Sequence, residues 1–184
     1  MDPLHNMSGA SFFGIGARQI WADVVLWEHF FNEADGLKAV IELGSGGHGL
    51  SVMFALHGVT RGFTVYTFDR RRYKSLDWPL PKLLKVEETF QAVDLFTARG
   101  QKAVLGLLTR PELHPLLLFC DNGDKPREFA GFVPHLQPGD WAGVHDWDTE
   151  FLPADALVGV PLKPWRFALA GELDCISRIW EVQP

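Results

Sequence analysis

Apolar and polar positions along this chain switch between two repeats. Unbroken apolar runs at Ala39–Ile41, Phe63–Phe68 and Pro115–Cys120 predict buried strands, the last of them the plainest. Between them, apolar residues recur three and four apart. In Gln19–Asn32, Ile20, Val24, Trp27, Phe30 and Phe31 mark an amphipathic helix that Gly36 stops. Leu50, Val52, Met53, Phe54 and Leu56 mark a second helix, Thr97–Leu108 a third, and Lys125–Leu136, opened near Pro126, a fourth. Thr89–Val93 and Trp141–His145 predict two further strands, with Pro138-Gly139-Asp140 as the turn into the latter. Two tail segments, Arg166–Ala170 and Cys175–Val182, predict a closing hairpin through Gly171–Asp174. Met1–Ser11 predicts no regular element, Phe12–Gly16 a glycine-broken loop, and the stretch after Asp69 a short helix and a loop, because Pro79 and Pro81 exclude anything longer.

Strands alternating with helices give an α/β class: a Rossmann-like three-layer α/β/α sandwich on a mostly parallel sheet. The predicted strands end in Glu42/Gly44, Asp69, Asp94, Asp121 and Asp146. Ligands of open α/β sheets bind at the carboxyl ends of the strands, so the polar residues collect where a site belongs. The first strand runs into Gly44-Ser45-Gly46-Gly47-His48-Gly49 and then a helix. Such a turn allows positive φ, lets a ligand approach bare backbone, and presents the N–H groups of a helix N-terminus. Asp69 ends the next strand, where an acid meets a ribose hydroxyl. Glu42 adds a carboxylate that suits an ammonium or sulfonium and would repel a pyrophosphate.

Composition narrows the partners. With 184 residues, 47% of them hydrophobic, the chain is read as a single domain, 1–184, in which 1–36 supply a loop and a helix that pack on the sheet edge or lid the cofactor. A net charge of −6 argues against nucleic acid. Arg70-Arg71-Arg72 is too short for a nucleic-acid tract; it reads as a solvated helix start or an anion contact. Cys120 and Cys175 lie in apolar runs and read as buried thiols of a reducing compartment. Neither a leader nor a long apolar run is present, so a cytoplasmic protein that engages no membrane is expected. A homo-oligomer stays open. His5, His29, His57, His114 and His135 have no evident partners.

Two later stretches carry the chemistry: Phe119–Glu128 (FCDNGDKPRE) and Gly139–Glu150 (GDWAGVHDWDTE). Asp121 and Asp146, with His145, Asn122 and Glu150 behind them, are hard ligands for Mg²⁺ or Ca²⁺; a histidine shifts the preference towards Mn²⁺, Fe²⁺ or Zn²⁺. His145 is equally a hydrogen-bonded loop histidine. Lys125 becomes a general base if a metal or burial lowers its pKa.

The segment from Glu42 to Gly49 resembles motif I, E/D-x-G-x-G-x-G, of the class I S-adenosylmethionine (SAM)-dependent methyltransferases. Asp121, Lys125 and His145-Asp146 are similar to the strand-four and strand-five ends of the metal-dependent catechol and caffeoyl-CoA O-methyltransferases. The helix before motif I also resembles the cephalosporin-hydroxylase and rhamnosyl O-methyltransferase group. The resemblance covers Gly16–Trp147 and departs in three places: a longer glycine loop, Lys125 one residue further from Asp121, and His-Asp in place of Asp-Asp. It implies a seven-stranded sheet with an antiparallel last strand, and O-methylation of a small hydroxylated acceptor. It implies SAM as cofactor, held by Glu42, Gly44, Ser45, Gly46, Gly47, His48, Asp69, Arg70, Asp94, Leu95 and Asp121, with Asp69 on the ribose and Asp94 near the adenine. It implies catalysis by Lys125, Asp121 and His145, with a divalent cation such as Mg²⁺ on Asp121, His145 and Asp146. An NAD-binding oxidoreductase and a non-catalytic SAM-fold binding module are the rivals. The first leaves Glu42 and the antiparallel tail unexplained; the second is separated only by a methyl-transfer assay.

Overall fold

The computed structural model describes residues 10–184; the expectation for Met1–Gly9 lies outside the described residues. Seven strands form the central sheet: β3 (Ala39–Leu43), β4 (Thr64–Asp69), β5 (Phe90–Ala92), β6 (Leu116–Cys120), β7 (Trp141–Val144), β8 (Leu162–Trp165) and β9 (Arg178–Val182). Their order is β5-β4-β3-β6-β7-β9-β8. The first five run parallel, and β9 runs antiparallel to both neighbours.

The two central strands are buried at every position, which is why they read as continuous apolar runs rather than alternations. Alternate residues nevertheless serve different layers. Ala39, Ile41 and Leu43 face the layer of α5 (Ala98–Leu108) and α6 (Lys125–Phe132). Val40 faces α1 (Trp21–Glu33) and α2 (Gly49–Arg61). Glu42 shares that second face, which carries a carboxylate into the layer beneath α2.

The first helix lies on the face of the sheet, not on its edge. Its fully buried Trp27 packs edge-on against Phe119 of β6 at 4.8 Å and Phe54 of α2 at 5.0 Å. Ahead of it, β1 (Ser11–Phe12) and β2 (Ile15–Gly16) pair as a short ribbon where a loop was expected. The ribbon is pressed onto the glycine turn, since a Cβ on Gly49 would meet the Gly16 and Ala17 backbone at 2.6 Å.

The tail corrects the sequence reading. The outer strand is Leu162–Trp165, and Phe167–Glu172 is a short helix, α7, so no tight hairpin joins it to β9. Lys163 and Pro164 are exposed, and a proline is tolerated in a strand with one bare edge. Ala168, Leu169, Ala170 and Glu172 are strong helix formers. After β4 come a 3₁₀ turn and two short helices, α3 (Pro79–Leu83) and α4 (Val86–Thr89).

At the edge of the sheet where β6 and β7 begin, buried Asp140 accepts hydrogen bonds from Leu116 N at 2.9 Å and Gln137 N at 2.7 Å, with His114 Nδ1 at 2.8 Å. His114 therefore has a partner that its sequence context did not show. His57 likewise stacks on Phe31 at 4.5 Å, with Glu28 at 3.2 Å. Both cysteines are buried and free. Among the described residues no helix is long and apolar enough to cross a membrane.

Candidate active site

Parallel strands leave a crevice where neighbouring connections depart in opposite directions, here between β3 and β6. A cleft of about 460 Å³ opens there. Its wall holds Glu42, Gly44, Ser45 and Gly46 from the first turn, Asp69, Arg70 and Arg71 from the end of β4, Asp121 and Asn122 from the end of β6, and His145 and Asp146 from the end of β7. Gly44 has φ +96°, and a Cβ on it would lie 2.4 Å from the Asp121 carbonyl oxygen. The turn can therefore lie flat against the end of β6 only with glycine there.

Glu42 is fully buried. One of its oxygens accepts hydrogen bonds from Ser51 and, at 2.8 Å, from Thr67; the other, Oε1, has no partner. Burial pushes the carboxyl up to about 8, against the pull of the two hydroxyls. Asp69 faces the same turn. Its Oδ2 accepts Gly46 N–H at 2.9 Å and its Oδ1 accepts Arg71 N–H at 2.9 Å. Beside Arg70, a lobe of about 130 Å³ is lined by Asp94, Phe96, Asn122, Gly123 and Asp124.

The other end of the cleft is a lattice of charges. Lys125, 4% exposed although it opens α6, donates to Asp146 at 2.7 Å, Glu150 at 2.8 Å and the Asn122 carbonyl at 3.0 Å; Asp121 lies 3.9 Å away. Burial alone would lower its ammonium, but Asp146 and Glu150 carry it up to about 12. His145 sits with Nδ1 3.0 Å from Asp121 and 3.2 Å from Asp146, and Nε2 3.7 Å from the buried Asp23 carboxylate. Burial would lower this histidine too, and the carboxylates around it hold it well above its ordinary value. Burial tends to raise Asp146, yet His145 and Lys125 bring it well below the usual range. Asp121 differs: burial keeps it raised despite the same two cations.

No protein-family model and no curated protein matches the chain. Solved structures do. A crystal structure of a mutant of MtNAS, a nicotianamine synthase, superposes with a TM-score of 0.55 at 12% identity over 89% of this chain and 60% of that one. A candidate methyltransferase from Thermobifida fusca YX gives 0.51 at 12% identity, covering 89% of this chain and 80% of its own. The chain thus spans about 60% of the length of MtNAS. The fold is shared with both: a Rossmann-like sandwich on a mostly parallel seven-stranded sheet with an antiparallel strand pair at its end.

On that fold, most of the residues expected around a cofactor come together: Glu42, Gly44, Ser45, Gly46, Asp69, Arg70 and Asp121 line the cleft, and Asp94 lines the lobe. Three do not. Leu95 is wholly in the core. Gly47 serves the protein's own backbone, since a Cβ there would lie 2.9 Å from the Gly16 carbonyl oxygen. His48 caps α2 in a left-handed conformation, φ +65°, which turns its ring behind the glycine turn. There it meets Phe90 and Tyr73 edge-on at 5.0 and 6.2 Å, buried, with neither nitrogen paired.

Lys125 stands as an ion-pair centre: against its burial, Asp146 and Glu150 raise its ammonium, the opposite of the lowering that a general base there needs. The buried Gln19 and Asp23 were missed, and Glu128, which stands in the Phe119–Glu128 stretch, is buried as well. Gln19 Nε2 donates to Asp121 at 2.9 Å, Asp23 accepts from Ser177 N at 2.9 Å, and Glu128 accepts from Asn122 N and Asp124 N. A signal existed for Asp23, which precedes Trp27 by four residues on α1 and so shares its buried face; Gln19 lies ahead of the helix and left none.

His48 gives a local prediction. Burial lowers its pKa to about 4, so protonation favours the unfolded chain, where histidine titrates near 6.5. Stability from the neutral ring is full above pH about 6.5 and is lost as pH falls towards 4. His48→Phe is expected to melt higher at pH 5 by about 1 kcal/mol equivalent and to differ less at pH 8, read by thermal denaturation at both pH values.

Proposed function

We propose that this chain is a SAM-dependent methyltransferase that methylates an oxygen of a small hydroxylated molecule. The observation that carries the reading is the unpaired Glu42 Oε1, buried in the cleft wall next to a glycine turn and across from Asp69. A buried carboxyl without a partner is costly. A cationic ligand removes that cost by drawing the group into its ionised form, and the methionine end of SAM carries both an ammonium and a sulfonium. Arg18, exposed at the cleft mouth 3.7 Å from where a Gly46 Cβ would stand, suits the methionine carboxylate. Asp69 suits the ribose diol, and the lobe between Arg70 and Phe96 suits the adenine, with Asp94 as an acceptor for its amino group.

An acceptor hydroxyl then lies among Asp121, His145 and Lys125. Asp121 has the carboxylate best matched to taking its proton, because burial keeps its proton affinity above that of Asp146. His145, held from behind by Asp23, fixes the Asp121 carboxylate. The cleft's work is to hold donor and acceptor in line and exclude water.

Asp121, His145 and Asp146 bring one ligand atom each within 4.8 Å of one another, the expected divalent-cation set. A divalent ion on this set would have to share Asp146 with the Lys125 ammonium, which already occupies it at 2.7 Å. Asp121 binds Gln19 and His145 through its two oxygens, and Asp146 binds His145 and Lys125 through its own.

Isothermal titration tests the cofactor reading. S-adenosylhomocysteine is expected to bind with micromolar affinity and NAD⁺ not at all; the reverse order overturns it. Methyl transfer from labelled SAM to pooled phenols, catechols and sugars tests the reaction class, and transfer to none of them leaves the binding-module rival standing.

A further inference from the structure

We propose that the ammonium of Lys125 is the resident cation of the acidic end of this cleft, so that the positive charge an acceptor oxygen meets there is a side chain and not a divalent metal. The inference goes beyond the methyl-transfer reading and rests on the cleft's own geometry.

Four oxygens surround Nζ: one each from Asp146, Glu150 and Asp121, and the Asn122 carbonyl. Carboxylates from separate loops together with a backbone carbonyl are what a hard cation takes. Lysine has three N–H donors, and three of the four oxygens lie at 2.7, 2.8 and 3.0 Å, so its hydrogen-bonding capacity is filled.

The side chain is 4% exposed and enters from the first residue of α6, fixed behind by the Asp124 cap. A cation built into the chain at that depth needs no recruitment from solvent. The carboxylates that would hold a metal already have donors on both oxygens. A dication among them would share Asp146 with the ammonium and repel it at close range. The site also differs at its rim. Glu150 is 61% exposed while Lys125 is not, so Glu150 is the ligand that an incoming acceptor oxygen displaces from the ammonium.

Mn²⁺ titration, followed by the electron paramagnetic resonance of free Mn²⁺, decides between the two cations without any methyl donor. The proposal and the methyl-transfer reading therefore fail separately. Wild type is expected to show no saturable binding below about 1 mM. Lys125→Met, which empties the cage of its charge and keeps much of its length, is expected to bind Mn²⁺ at least about ten-fold more tightly, and Lys125→Arg to behave as wild type. Saturable Mn²⁺ binding to wild type at micromolar concentrations overturns the proposal. So does a folded Lys125→Met, by near-ultraviolet circular dichroism, that binds no better than wild type. The wild-type titration decides the matter alone should the methionine variant not fold.

Discussion

Glu42→Gln is expected to raise the melting temperature of the free protein at neutral pH and at the same time to remove most of its affinity for S-adenosylhomocysteine. Both effects come from one buried oxygen pair. In the folded chain the carboxyl is raised to about 8, whereas in the unfolded chain it ionises near its ordinary value of 4.5. A raised acid contributes stability that is full below pH 4.5 and is lost as pH rises towards 8, because unfolding lets the group ionise. At pH 7 the loss is on the order of 2 kcal/mol once relaxation of a buried site is allowed for. Glutamine carries no such linkage, so it recovers about that amount, or about 4–8 °C for a chain of this size. Its amide oxygen still accepts from Ser51 and Thr67. What it lacks is the negative charge for the methionine ammonium, and loss of a charge-assisted hydrogen bond in a buried site costs about 2–3 kcal/mol, or about 100-fold in affinity. Glu128 is raised to about 8 by burial in the same way, so the stability–pH curve of the variant flattens only in part. Thermal melts from pH 5 to 9 and titration calorimetry at pH 7 check both halves. A variant that melts lower and binds equally well removes Glu42 from the cofactor site.

The acid at a strand end and the glycine turn beyond it were legible because backbone geometry admits few residues there. Gly44 has φ +96° with the end of β6 against it, and the sequence shows glycine for that reason. Continuous apolar runs gave the inner strands for an equally local reason: both faces are covered. What failed depended on neighbours distant in the chain. The outer strand Leu162–Trp165 is polar and holds a proline, since its free edge needs neither apolar residues nor a donor there. His48 stands among the residues that face the cleft, yet its ring is buried against Phe90 and Tyr73 from later parts of the chain. Lys125 lies four residues from Asp121, a spacing equally suited to a base near a metal and to an ion pair. The choice is made by Glu150, which comes from another loop to within 2.8 Å. Gln19 and Asp23 were hidden inside an amphipathic pattern whose apolar residues dominate. Polar groups on the buried face of a helix are the trace such support residues leave.

Asp69→Ala carries the second large effect, and it separates a ligand-binding acid from a turn acid. In the free protein Asp69 already accepts from Gly46 N–H and Arg71 N–H, so part of its work is to hold the turn that ends beneath α2. Losing those two bonds on a half-buried surface costs about 1 kcal/mol of stability. If Asp69 also grips both ribose hydroxyls, its removal costs a further 3 kcal/mol or so of binding, about 100-fold. Affinity alone does not distinguish these, because a slack turn also binds poorly. Adenosine and 3′-deoxyadenosine do. Wild type is expected to prefer adenosine by about ten-fold, one charge-assisted hydrogen bond, and Asp69→Ala to bind both equally weakly. Asp69→Asn keeps one acceptor oxygen and sets an NH2 donor where the other oxygen stood, and is expected to fall between the two. An Asp69→Ala protein that binds more weakly yet still prefers adenosine by the wild-type factor would show that the carboxylate only props the turn. The hydroxyls would then be read elsewhere, and the nucleoside pose built on Asp69, Arg70 and Asp94 would be lost with it.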